Sequence, residues 1–289
     1  MLGAIVGDIV GSPYEFDRNN VKTTDFPLFS PSSRFTDDTV MTLAVAQALM
    51  DAMPGRGEKT DEAVLEAALV RRMREFGNRF PYAGYGARFS MWLTMPDPKP
   101  YNSFGNGSAM RVSPVAWAFD DLRDVERYAE VTARVSHNHP EGIKGAQATA
   151  SAVLLARYDC SRDTLRKYAA AWYGYDMSRT TDEIRPGYHH VESCQGTVPE
   201  ALTAFLEAES FEEALRLAVS LGGDSDTLAA ITCSMAEGAW GVPPEIAART
   251  ADLLDPSFGA CWTGGRPGAP APCGGVPWTF KGHPSVSLT

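Results

Sequence analysis

The run Thr36-Asp37-Asp38-Thr39-Val40-Met41-Thr42-Leu43-Ala44-Val45-Ala46-Gln47-Ala48-Leu49 opens with two acids between hydroxyls, then sets Met41, Ala44, Val45, Ala48 and Leu49 at helical spacing. Residues three and four apart share one face of an α-helix, so the second part predicts a helix with an apolar stripe. Thr and Asp are favoured N-cap residues, and carboxylates are stabilised by the positive end of the helix dipole. The first part therefore predicts the helix entrance. Asp224-Ser225-Asp226-Thr227 repeats the pattern ahead of a helix beginning near Leu228. Phe211, Ala214, Leu215, Ala218 and Val219 form another stripe, and further helices are predicted around 60–77, 121–134, 140–158, 161–173, 197–208, 225–240 and 243–254. Period-two alternation is nearly absent. The predicted fold class is all-α, a compact multi-helix body in a single domain.

Gly3, Gly7 and Gly11 fall every fourth residue and leave one helix face without side chains, so a neighbouring helix can approach closely. Asp8 interrupts this run, which is too short to span a bilayer and lacks the basic leader of a signal peptide. Five cysteines, an odd number with no CxxC pair, read as reduced thiols. These features predict a soluble, cytoplasmic chain, expected to act as a monomer without a membrane partner. An apolar content of 44% excludes disorder as the main architecture. With 26 Lys and Arg against 36 Asp and Glu the net charge is −10, which excludes broad electrostatic binding of nucleic acid and leaves a small anionic ligand open. From Gly259 to Thr289, seven Gly and five Pro predict an irregular arm, packed on the catalytic body at 1–258 through Trp262, Trp278 and Phe280.

Capping uses one side chain per helix, whereas each acidic entrance carries two carboxylates and further hydroxyls. If the two entrances converge, Asp37, Asp38, Asp224 and Asp226 crowd four negative charges, a state that takes up protons or a cation. Hard oxygen ligands without a Cys cluster select Mg²⁺, Mn²⁺ or Ca²⁺ over Zn²⁺. With the threonine hydroxyls they suffice for two ions, although spacing alone does not bring the entrances together.

Ser103-Phe104-Gly105-Asn106-Gly107-Ser108-Ala109-Met110-Arg111 is a polar glycine loop, readable as a tight turn or as an anion nest of backbone N–H groups. It matches neither GxGxxG nor GxxxxGK[ST]. His137-Asn138-His139-Pro140-Glu141 reads as a capping loop before a helix, and His189-His190 as surface.

Five segments in this order resemble the ADP-ribosylglycohydrolase family: Gly7-Asp8-Ile9-Val10-Gly11-Ser12-Pro13-Tyr14-Glu15, Thr36-Asp37-Asp38-Thr39, Gly84-Tyr85-Gly86, Gly105-Asn106-Gly107-Ser108-Ala109-Met110-Arg111 and Leu221-Gly222-Gly223-Asp224-Ser225-Asp226-Thr227. The resemblance runs from residue 3 to about 241. It implies an all-α domain with a two-Mg²⁺ cleft (Mn²⁺ as a substitute), ligated by Thr36, Asp37, Asp38, Asp224, Asp226 and Thr227. It places Ser103, Phe104, Gly105 and Asn106 around the pyrophosphate and distal ribose of ADP-ribose, and His137 beside the nucleotide. Tyr85, Gly223 and Ser225 complete the expected ligand-binding set. Glu15, on a mobile flap in the serine-type members that this run most resembles, is expected to be catalytic together with Asp37 and Asp38.

The implied reaction is hydrolysis at C1″ of the distal ribose of an ADP-ribosylated acceptor, O-linked before arginine-linked. Two alternatives belong to other classes. One is an ADP-ribose-binding or toxin-immunity protein using the same cleft, and the other a hydrolase of a different ribosylated metabolite.

Overall fold

The computed structural model describes residues 1–258, and the arm at 259–289 lies outside the described residues. The chain begins with α1 (Leu2–Gly11), passes through two 3₁₀ turns at Ser12–Tyr14 and Asp17–Asn19, and continues with α2 (Asp37–Ala52), α3 (Glu62–Arg79), α4 (Ala87–Thr94), α5 (Gly107–Met110) and α6 (Ser113–Ala118). It then forms α7 (Leu122–Arg134), α8 (Pro140–Arg157), α9 (Arg162–Tyr173), α10 (Thr181–Ile184), α11 (Cys194–Glu207), α12 (Phe211–Leu221), α13 (Ser225–Trp240) and α14 (Pro244–Ala251). Among the described residues no β-strand forms, and an isolated antiparallel bridge joins Gly105 to Ser193. None of the described helices is long and apolar enough to cross a membrane.

Local chemistry sets the helix ends. Thr36, Asp61, Asp121, Ser161 and Ser210 cap α2, α3, α7, α9 and α12 by accepting backbone N–H groups of the first turn. His139 caps α8 through Nδ1, which accepts the Glu141 N–H at 3.1 Å, as the capping-loop reading expects. Every helix predicted from periodicity is present, although α11 begins earlier, at Cys194. The short helices α4, α5, α6 and α10 were not foreseen, because one or two turns repeat too few apolar positions to register a period.

One packing contact organises the site. In α1 every residue from Gly3 to Gly11 is buried, and the glycine face lies directly on α13. A Cβ added at Gly3 would lie 2.1 Å from the Cys233 carbonyl oxygen, at Gly7 2.2 Å from that of Ala229, and at Gly11 2.5 Å from Cα of Asp226. Numbers rise along α1 as they fall along α13, so the helices run antiparallel and the end of α1 meets the entrance of α13. Gly7→Ala forces them apart. Overpacking of this kind costs about 1–3 kcal/mol, so the urea midpoint is expected to drop clearly. An unchanged midpoint would show that the close approach constrains nothing.

Candidate active site

Asp8 of α1 is wholly buried and organises the entrance of α2. Its carboxylate accepts the Thr36 N–H at 2.9 Å, the Thr36 hydroxyl at 2.6 Å, the Thr39 N–H at 3.0 Å and the Thr39 hydroxyl. Asp8 holds α2 while Gly11 lies on Asp226, so the two acidic entrances converge.

The convergence is tight. Ligand oxygens of Asp8, Asp38 and Asp226 lie within 4.8 Å of one another, and so do those of Glu15, Asp224 and Asp226. The Thr227 hydroxyl donates to Oδ2 of Asp38 at 3.2 Å, whereas Oδ1 of Asp38 is buried with no hydrogen-bond partner. Asp37 keeps part of its surface open, and its N–H donates to the Ala83 carbonyl at 2.9 Å. Of the six ligands expected from the sequence, Asp38, Asp224 and Asp226 thus supply clustered oxygens, Thr36 and Thr227 bond to Asp8 and Asp38 beside them, and Asp37 lies outside both oxygen sets.

Burial is the main reason why the carboxyls of Asp37, Asp38 and Asp226 sit well above the usual range. Mutual repulsion adds to it: Asp8 and Asp224 act on Asp37, Asp8 and Asp37 on Asp38, and Asp224 and Asp38 on Asp226. Asp8 and Asp224 are raised by burial too, against the pull of the donors around them. Glu15 is pushed up to about 7 by burial and then by Asp224, with His190 and Arg34 opposing. A bare oxygen cluster of this charge, with one buried lone-pair site unused, fits divalent cations of the Mg²⁺ or Mn²⁺ kind.

The segment carrying Glu15 is tied to the loop before α13. Phe16 N–H donates to the Gly223 carbonyl at 2.8 Å, Gly223 N–H to Oδ1 of Asn20 at 2.8 Å, and the Ser225 hydroxyl to the Tyr14 carbonyl at 3.0 Å. Gly223 has φ +70°, and a Cβ there would strike the His189 carbonyl oxygen at 2.7 Å, so only glycine fits. Gly223 and Ser225 therefore anchor the Glu15 segment in this structure. Lys22 reinforces the attachment, donating to the carbonyls of Arg185, Tyr188 and Leu221 at 3.0, 2.7 and 2.5 Å.

The glycine loop borders the same centre. Asn106 Nδ2 donates to Asp224 at 2.6 Å and to Thr197 at 3.1 Å. Gly105 N–H is taken by the Ser103 hydroxyl at 3.1 Å, and Asn106 N–H by the Glu192 carbonyl at 2.8 Å, so these two amides do not form an anion nest. Phe104 is exposed. Gly105 is absent from the positive-φ glycines, and what restricts it is proximity: a Cβ would lie 3.2 Å from Ser103 Oγ and 3.4 Å from His137 Nε2. His137 is buried, its Nδ1 is 2.8 Å from the Ser136 hydroxyl, and burial followed by Arg111 holds its pKa well below the usual value. The Tyr85 hydroxyl is buried without a partner, and burial followed by Asp37 keeps it un-ionised.

Two site residues escaped the sequence reading. Asp8 was read as an interruption of an apolar run and quoted within the family-like segment without a role of its own, although a carboxylate inside such a helix is itself a signal of a polar partner. His190 was read as surface. It is partly enclosed, bonded to Glu192 at 3.1 Å, and that bond with the field of Asp224 outweighs burial to raise its pKa. His189 does fit the surface reading, with a side chain 72% exposed.

Known proteins are similar to this chain over most of its length. The family model described as ADP-ribosylglycohydrolase matches residues 1–258. Human ADP-ribosylhydrolase ARH3 is 25% identical over 315 residues, covering 84% of each chain. ADP-ribosylarginine hydrolase Tri1 of Pseudomonas putida is 28% identical over 276 residues, covering 85% of this chain and 71% of its own. A solved chain titled ADP-ribosylglycohydrolase-related protein complex has a similar fold, with a TM-score of 0.62 at 24% identity over 90% of this chain and 94% of that one. With the family model spanning the whole described body, the chain belongs to the ADP-ribosylglycohydrolase family.

Proposed function

We propose that this chain is a divalent-cation-dependent hydrolase that cleaves the C1″ glycosidic bond of ADP-ribosylated acceptors, with O-linked acceptors (serine-type or O-acyl) favoured over arginine-linked ones. The observation that carries this reading is the convergence of Asp8, Glu15, Asp38, Asp224 and Asp226 within two sets of oxygens, with Oδ1 of Asp38 left unpartnered. Thr36, Asp37, Asp38, Asp224, Asp226 and Thr227 would hold two Mg²⁺, or Mn²⁺. Cations bound there supply Lewis acidity and fixed positive charge beside the reacting bond.

The chain's own residues do the rest. Ser103, Gly105 and Asn106 line the pyrophosphate and distal ribose, His137 backs them as a neutral imidazole, and Phe104 and Tyr85 offer ring faces to the ligand. Asp37 and Asp38 offset positive charge that grows at C1″ as the acceptor leaves. The Glu15 carboxylate takes a proton from the water whose oxygen bonds to C1″, and returns it to the departing acceptor oxygen. The buried thiols of Cys194 and Cys233 suit a reducing, cytoplasmic setting.

The test is a panel of defined conjugates, O-linked through serine, O-acyl and arginine-linked, incubated with protein and Mg²⁺ or with chelator and read by mass spectrometry for free ADP-ribose. Release from O-linked conjugates with Mg²⁺ and none with chelator is expected. No release from any conjugate would return the chain to a binding role. Faster release from the arginine conjugate, the acceptor in the name of Tri1, would overturn the acceptor preference.

A further inference from the structure

Phe16, the residue after Glu15, has φ +67° and ψ 148°, a region that is nearly glycine-only. A non-glycine residue there is strained and persists only where its surroundings over-determine it. The surroundings are specific. The Phe16 ring lies 5.0 Å from the His190 imidazole, tilted by 35°, and the Arg18 guanidinium stands over the Phe16 ring 5.6 Å from its centroid. His190 N–H donates to Oδ1 of Asp17 at 2.9 Å, Asn19 Nδ2 donates to the Glu15 carbonyl at 2.9 Å, and Phe16 N–H is bound to Gly223. Glu192 holds Nε2 of His190 at 3.1 Å and so fixes the plane of the imidazole.

We propose that Phe16 and His190 form an aromatic latch that holds the backbone turn placing the Glu15 carboxylate against Asp224 and Asp226. Strain at Phe16 favours release of the turn, and the imidazole packed against the ring opposes it. His190 is thus a positioning residue acting through Phe16, and the proposal rests on the proton-carrying role given to Glu15. A misplacement of about 1 Å at a reacting group can cost on the order of 10²-fold in rate. Loss of the latch should therefore lower kcat while leaving ligand contacts made elsewhere in the cleft intact.

The experiment compares the full chain with His190→Ala, His190→Phe, Phe16→Ala and the double variant His190→Ala/Phe16→Ala. His190→Ala is expected to lower kcat on an O-linked conjugate by about 10-fold or more. ADP-ribose affinity should stay within about twofold, and amide exchange over residues 14–20 should accelerate without a global loss of protection. His190→Phe keeps an aromatic ring against Phe16 and should restore protection of residues 14–20, whereas the rate also loses the charge of His190 beside Glu15. The double variant should be no worse than either single one, because both remove the same contact. Unchanged exchange in His190→Ala, exchange in His190→Phe as fast as in His190→Ala, or additive losses of protection in the double variant would overturn the latch. Amide exchange reads the latch even if the parent hydrolyses no conjugate, so failure of the functional reading and failure of the latch give different results.

Discussion

Asp226→Ala is expected to abolish release of ADP-ribose while the helical body stays folded. Asp226 belongs to both oxygen sets of the cluster, one shared with Asp8 and Asp38 and the other with Glu15 and Asp224, so its removal breaks both at once. Outer partners of a metal site already cost about 10–100-fold when lost, so removal of a residue common to both sets should leave less than about 1% of parental turnover. Calorimetric titration with Mg²⁺ should show the matching loss of cation binding.

The pH dependence has a definite sign. Burial, then Asp224 and Asp38, raise Asp226 above its unfolded value, so its contribution to stability is complete below the unfolded value and is lost as pH rises through the raised folded value. In chelator the parent should therefore lose stability as pH climbs above the ordinary carboxylate range, and Asp226→Ala should lose less. Mg²⁺ should flatten the parental profile. Parental turnover in the variant, or equal Mg²⁺ binding, would exclude the cluster as the reacting centre.

Glu15→Gln is expected to lower kcat by about 10²–10⁴-fold, the usual range for a positioned acid–base group. Glutamine keeps the length and hydrogen-bonding reach of the side chain and removes the carboxylate, so the Tyr14–Ser225 and Phe16–Gly223 attachments are retained. Affinity for ADP-ribose should be nearly unchanged, because the group acts mainly in the transition state. Single-turnover kinetics with an O-linked conjugate and equilibrium binding of ADP-ribose separate the two quantities. An unaffected kcat would remove Glu15 from the chemistry, and a loss confined to ADP-ribose binding would make it a ligand-binding residue instead.

Much of the site was legible because the signals are local. Thr36-Asp37-Asp38 and Asp224-Ser225-Asp226 carry more carboxylates than capping uses, and that surplus is visible without any structure. Asp8 was harder to read, since its partners Thr36 and Thr39 lie on another helix and an isolated acid in an apolar run does not name them. His190 was missed because nothing in a His-His pair reports the ring of Phe16 or the carboxylate of Asp224 nearby.

The sequence by itself determined the all-α class, the course of the long helices, the acidic entrances and the glycine face of α1, because periodicity, capping and the absence of a side chain act within a few residues. The tertiary structure alone decided that α1 runs antiparallel to α13 with Gly11 on Asp226, that Asp8 secures the entrance of α2, and that the Glu15 turn is pinned to Gly223, Ser225 and His190. Each of these joins residues far apart in the chain through close packing or a buried hydrogen bond. Such contacts depend on how whole helices pack, and no local pattern encodes their register.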